Sequence, residues 1–125
     1  MNLLLDTHTV LWWLDRHEEL SKQARAAIAD AGSTVFLSAV AVWEMRIKEA
    51  VGKLVLPDRF QEVLAAQAFV DLPITIEHAH RVAELPPIHR DPFDRMLVAQ
   101  AHCERFTIVT RDPEIPRYGV RTLVA

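Results

Sequence analysis

The tightest constraint on this chain is an alternation. Five short apolar or β-branched runs, Leu3 to Leu5, Val35 to Leu37, Val70 to Leu72, Thr107 to Val109 and Arg121 to Leu123, are separated by longer stretches with helical periodicity. Those stretches predict helices over Thr7 to Leu14, Ser21 to Ala31, Ala39 to Val51, Asp58 to Phe69, Thr75 to Ala83 and Pro92 to Arg105. Strands regularly separated by helices imply a parallel sheet. The expected fold is therefore α/β, a three-layer α/β/α sandwich on a short-stranded parallel sheet, with residues 1–125 as a single domain. Local chemistry supports these boundaries. Ser21 and Ser38 stand where N-caps belong, Gly32 and Gly52 follow helical patterns, and Pro57, Pro73 and Pro86-Pro87 punctuate the connections. Asp91-Pro92 is the clearest start signal, a capping aspartate followed by proline at the first helical position, and it puts Asp94 in the first turn.

With 50% hydrophobic and 25% charged residues, 125 residues can bury a core without disulfides or a structural metal. Cys103 is the only cysteine, which excludes an internal disulfide and a cysteine-rich zinc site and suits a reducing compartment. Leu3-Leu4-Leu5 is too short for a secretory leader and no run approaches membrane-spanning length, so the expected location is the cytoplasm, with no membrane partner. The net charge of −3 looks unfavourable for a polyanionic partner. Setting aside four carboxylates as one metal site turns that −3 into +1, so net charge does not decide the partner.

The four carboxylates are Asp6, Glu44, Asp94 and Asp112. In a parallel α/β sheet, ligands bind at the carboxyl ends of the strands, where the following helices begin. Asp6 directly follows the first strand and Asp112 lies three residues past Val109. Glu44 falls within two turns of the helix after the second strand, and Asp94 opens the last helix. Each also has a plainer explanation. Asp6 can cap the first helix, Asp94 can complement a helix dipole, and Asp112 before Pro113 can be a turn element. Glu44 flanks the apolar stripe Val40, Trp43, Ile47 and Val51, where a merely solvated glutamate is less expected. Convergence on one edge favours the site. Like charges about 4 Å apart repel by roughly 4 kcal/mol at an effective dielectric near 20, so a cation or protons must accompany the cluster. All-oxygen ligation suits Mg²⁺ or Mn²⁺ and hydrolysis of a phosphodiester.

These residues fall into a recognisable series: Leu4-Leu5-Asp6-Thr7-His8, Trp43-Glu44, the run from His89-Arg90-Asp91-Pro92-Phe93-Asp94-Arg95 to Ala101, and Thr110-Arg111-Asp112. The series resembles a PIN-domain ribonuclease, specifically a VapC-type toxin of a type II toxin–antitoxin system, and it spans nearly the whole chain. The resemblance implies a Mg²⁺- or Mn²⁺-dependent endoribonuclease that cleaves cellular RNA, usually tRNA or rRNA, until a cognate antitoxin neutralises it. It implies Asp6, Glu44, Asp94 and Asp112 as catalytic and metal-site acids, with Asp91 ranked behind Asp94 because its capping role explains it. It also implies a homodimer and an antitoxin peptide seated in a hydrophobic groove, one side chain reaching the acids. An RNA-processing PIN nuclease and a catalytically silent RNA- or protein-binding relative are the alternative readings, and the intact set of acids argues against the second.

Several residues are weighed beside the acids. Arg46, Lys48, Arg95 and Arg111 neighbour them in sequence; Arg46 and Arg95 are expected to contact phosphates, and Thr110 matches a hydroxyl position near the site. His78 and His80, two apart on a helix, form no zinc pair, while His8 and His89 stay uncommitted. Val10-Leu11-Trp12-Trp13-Leu14 is apolar all round its helix, so either a partner surface or the following helix must cover it.

Overall fold

The computed structural model describes residues 1–125. The strands are β1 (Asn2–Leu5), β2 (Thr34–Ser38), β3 (Val70–Leu72), β4 (Thr107–Thr110) and β5 (Thr122–Val124). The helices are α1 (Thr7–Leu14), α2 (Lys22–Ala29), α3 (Ala39–Ala50), α4 (Phe60–Ala65), α5 (Ile76–Ala83) and α6 (Pro92–Glu104), with a short 3₁₀ turn at Ile115–Tyr118. All strand pairs are parallel, in the order β3-β2-β1-β4-β5. The expected sandwich is therefore the observed one.

β1 shows why the fold needs two helical layers. Leu3, Leu4 and Leu5 are all fully buried, although successive side chains on a strand point to opposite faces. Leu3 and Leu5 join Val10, Leu20, Ala24, Ile28, Leu37 and Met45 in one core. Leu4 joins Val40, Leu97, Val98, Ile108, Ile115 and Tyr118 in the other. The central strand thus carries the hydrophobic cores of both faces, and its C-terminal end is rigidly placed. No helix is long and apolar enough to cross a membrane.

The caps act as expected. Ser21 accepts from the Ala24 amide, Ser38 from Val40, and Asp91 from Phe93 and Asp94. Two expectations need correction. The helix over Asp58 to Phe69 shrinks to Phe60–Ala65, because Arg59 takes a left-handed backbone conformation (φ 57°) with no side-chain cap. The stripe Trp43, Ile47 and Val51 faces outward, at 58%, 38% and 63% exposure. It is Val40, Ala41, Glu44 and Met45 that α3 buries.

The apolar helix α1 is partly covered by its own chain, though not by α2 alone. Trp13 donates its indole N–H to Gln67 beyond α4 at 3.1 Å. Trp12 lies under the Arg111 guanidinium at 4.8 Å and stacks against His17.

Candidate active site

The strand order reverses between β1 and β4, and a crevice opens outside the carboxyl ends of two such strands because their connections leave in opposite directions. Asp6 leaves β1 at this point and Asp112 leaves β4. The N-terminal turn of α6 adds Asp91 and Asp94, and the buried face of α3 adds Glu44. All five carboxylates line one cleft of ≈ 370 Å³, together with Thr7, His8, Trp12, Lys48 and Arg111. The structure therefore brings the four expected acids together and adds Asp91, which caps α6 and lines the cleft at once.

Asp6 is locked. Its Oδ1 accepts the Thr9 amide at 2.9 Å and the Thr9 hydroxyl at 2.6 Å, and its Oδ2 accepts the Thr110 hydroxyl at 2.5 Å. It is also the N-cap of α1, so the capping reading and the site reading hold together. Glu44, 5% exposed, accepts the Thr7 hydroxyl on Oε1 at 2.5 Å and the Lys48 ammonium on Oε2 at 2.7 Å. That bond holds the Lys48 ammonium above its ordinary pKa, against the opposing effect of burial.

Asp94 and Asp112 are supplied differently. Both face the His89 ring, whose Nε2 lies 2.7 Å from Asp112 Oδ2 and 3.6 Å from Asp94 Oδ2. Burial, and then the charges of Asp91, Glu44 and Asp112, push the Asp94 carboxyl up to about 7, with His89 acting against them. Burial also raises Asp112, but the hydrogen bonds from His89 and the Glu114 amide outweigh it and leave the group below the usual carboxylate range. His89 is raised in turn, chiefly by its hydrogen bond to Asp112.

The donor set fits a hard divalent cation, since it is mostly carboxylate oxygen and too crowded to stay fully ionised without positive charge. Ligand atoms of His89, Asp94 and Asp112 all lie within 4.8 Å of one another. Asp6, Glu44, Asp91, Asp94 and Asp112 are the carboxylates that the cleft offers to such an ion.

The basic residues sort differently from the expectation. Arg46 pairs with Glu49 at 2.9 Å, lies over the Phe60 ring and does not line the cleft. Arg95 gives its guanidinium to the backbone carbonyls of Val82, Leu85 and Pro86, so it braces the α5–α6 connection. Lys48 and Arg111 line the cleft instead. Thr110, 3% exposed, binds Asp6 and accepts the Asp112 amide, so it orients acids and does not face a substrate. Sequence reasoning missed the roles of Thr7 and Thr9 and left His89 open. The signals were present in hydroxyls one and three residues past Asp6, in the i,i+4 spacing of Glu44 and Lys48, and in a histidine just before the Asp91 cap.

A family model described as PIN domain matches residues 3–120. The chain belongs to the PIN domain family. PIN domains are generally nucleases. No curated protein matches the sequence. Among solved structures, the fold is similar to VapBC2 from Rickettsia felis bound to a promoter DNA fragment, at 16% identity and TM-score 0.75, covering 98% of each chain. It is also similar to FitAcB from Neisseria gonorrhoeae, at 22% identity and TM-score 0.66, covering 98% of this PIN domain and 96% of that chain. A toxin–antitoxin complex from Klebsiella pneumoniae gives 17% identity, TM-score 0.67, and 98% and 96% coverage.

Proposed function

We propose that this PIN domain is a Mg²⁺- or Mn²⁺-dependent endoribonuclease toxin that cleaves cellular RNA, tRNA or rRNA, in the cytoplasm and is neutralised by a cognate antitoxin. The observation that carries the reading is five carboxylates in one cleft at the strand reversal, crowded enough to push Asp94 up to about 7. When bound there, a divalent ion supplies a water of lowered pKa and takes up charge on the phosphoryl oxygens. Asp6 and Asp94 would anchor the ion, Asp6 being held in place by Thr9 and Thr110. Glu44 and Asp112 complete the cluster and would orient the attacking water, with Thr7 fixing the first and His89 the second.

Two surfaces support the partners. An apolar groove of ≈ 470 Å³ lined by Leu11, Trp12, Leu14, Leu54, Val55 and Leu56 shares Trp12 with the acidic cleft. A helix of the antitoxin seated there would bring a basic side chain to the acids. The outward stripe Trp43, Ile47 and Val51 is the apolar surface for a homodimer. That several similar folds of matching length come from toxin–antitoxin complexes favours a toxin over an RNA-processing enzyme.

The test is induced expression of the wild type beside Asp6→Asn, with growth followed and total RNA incubated with each purified protein and Mg²⁺ or Mn²⁺. Growth arrest and metal-dependent cleavage by the wild type alone are expected. If both proteins are harmless and neither cuts RNA under any divalent metal, the binding-module reading replaces the enzyme.

A further inference from the structure

The cleft has cations on its walls as well as acids, and they differ in how many hydrogen-bond donors they have left. Arg111 is nearly spent, with four of its five N–H donors in use. Its Nε and Nη2 donate to the Ala125 carbonyl at 3.0 and 2.6 Å, its Nη1 pairs with Glu19 at 2.9 Å, and its plane covers Trp12. His8 is exposed and leans on Trp12 at 6.1 Å. Lys48 has a single partner, Glu44 Oε2. An ammonium carries three donors that turn freely about its stem, so two remain unused at the wall of a cleft built for phosphate. The Lys48 side chain is 41% exposed while that of Glu44 is 6% exposed, so the ammonium connects solvent to a buried acid. Glu44 is itself fixed by Thr7, which makes it a stable anchor for the lysine.

We infer that Lys48 is a substrate-contacting residue, its ammonium donating to a non-bridging oxygen of the RNA phosphate in the cleft while it keeps its bond to Glu44. The inference rests on the nuclease reading above. A polyanion entering five carboxylates needs a fixed positive donor at the point of entry, and among the lining cations Lys48 has the most donors to spare. The competing role is purely structural, with Lys48 neutralising Glu44 and touching nothing else.

Salt dependence separates the two roles, because only a phosphate contact releases counterions from the RNA. Binding of a short, unstructured, fluorescein-labelled RNA is measured by anisotropy across a salt series in Mg²⁺. Cleavage is blocked by Asp6→Asn, and Lys48 is left intact or changed to Met, Gln or Arg; the Gln variant serves if Met perturbs the fold. Loss of the charge is expected to lower the slope of log affinity against log salt by about 0.7, the share of one single-strand phosphate. Affinity at low salt should fall roughly tenfold, and Lys48→Arg should restore the slope. An unchanged slope in both Met and Gln variants, or no RNA binding at all, overturns the inference. If Lys48-dependent binding is seen but the protein with Asp6 intact cuts no RNA, the phosphate contact stands and it is the nuclease reading that fails.

Discussion

The two halves of the acidic cluster are built in opposite ways. Asp6 and Glu44 have donors from their own chain on every carboxylate oxygen: Thr9 and Thr110 for the first, Thr7 and Lys48 for the second. Asp94 meets other acids and the edge of one histidine 3.6 Å away, and its carboxyl rises to about 7. The first half is preorganised whatever is bound, as electrostatic catalysis requires. Asp112 is satisfied by His89 and the Glu114 amide, whereas Asp94 awaits positive charge, of which His89 supplies some. An acidic cluster assembled this way orients Asp6, Glu44 and Asp112 by hydrogen bonds and leaves Asp94 short of positive charge.

The sharpest test of this contrast compares two isosteric substitutions. Asp6→Asn and Asp94→Asn should each reduce metal-dependent cleavage by about 10²-fold or more, yet move stability in opposite directions. In EDTA at pH 8, Asp6→Asn should cost about 1–3 kcal/mol, since an amide N–H₂ replaces an acceptor that the Thr110 hydroxyl needs. Asp94→Asn should raise the melting temperature by removing a crowded negative charge. If both melts shift the same way, the two halves are not different.

Removing an orienting hydroxyl should act more gently. Thr110→Val is expected to lower metal affinity or activity roughly 10- to 100-fold, the usual effect of losing a group that holds a ligand. Mn²⁺ titration beside cleavage rates checks this, and an unaffected enzyme would mean that Asp6 holds its place without help.

The pH response sharpens the comparison further. Because its pKa is raised from 3.8 to about 7 on folding, Asp94 stays protonated in the metal-free fold over a range where the unfolded chain ionises. Its contribution to stability is full below about 4 and is lost as pH rises through 7. Asp112, whose pKa is lowered, contributes in the opposite sense and loses its share as pH falls. Metal must displace the Asp94 proton, so log affinity for Mn²⁺ should rise by about one per pH unit below 7 and flatten above it. Calorimetry across that range shows the slope, and in Asp94→Asn it should become shallower, leaving the part due to His89.

The smallest effect lies outside the cluster. Arg105 ends α6 in a left-handed conformation at φ 60°, a region glycine enters without steric cost. Arg105→Gly should stabilise the protein by up to about 1 kcal/mol with cleavage unchanged, as read by thermal melts and turnover side by side.

Much of the fold was legible because its signals are local. Leu3-Leu4-Leu5 and Thr107 to Val109 announce strands buried on both faces, and Ser21, Ser38 and Asp91 cap where capping residues should. The four acids were legible because strand ends and helix starts share one edge of a parallel sheet. Their long-range supports were not. Thr110 reaches Asp6 across 104 positions of chain and His89 reaches Asp112 across 23, distances that no local pattern reports. Arg95 looked like a phosphate contact from its place beside Asp94, yet it points to the carbonyls of the preceding connection. The stripe Trp43, Ile47 and Val51 looked like core because periodicity marks an apolar face without saying what covers it.

The sequence by itself determined the alternation of strands and helices, the parallel sheet and the edge where the acids gather, since periodicity, capping and strand-end position are properties of neighbouring residues. Only the tertiary structure decided which acid is satisfied and which is crowded, and which cation is spent and which has donors to spare. Those depend on hydrogen bonds and charges brought together from distant parts of the chain, and the free energy of a carboxylate is set by what surrounds it in space.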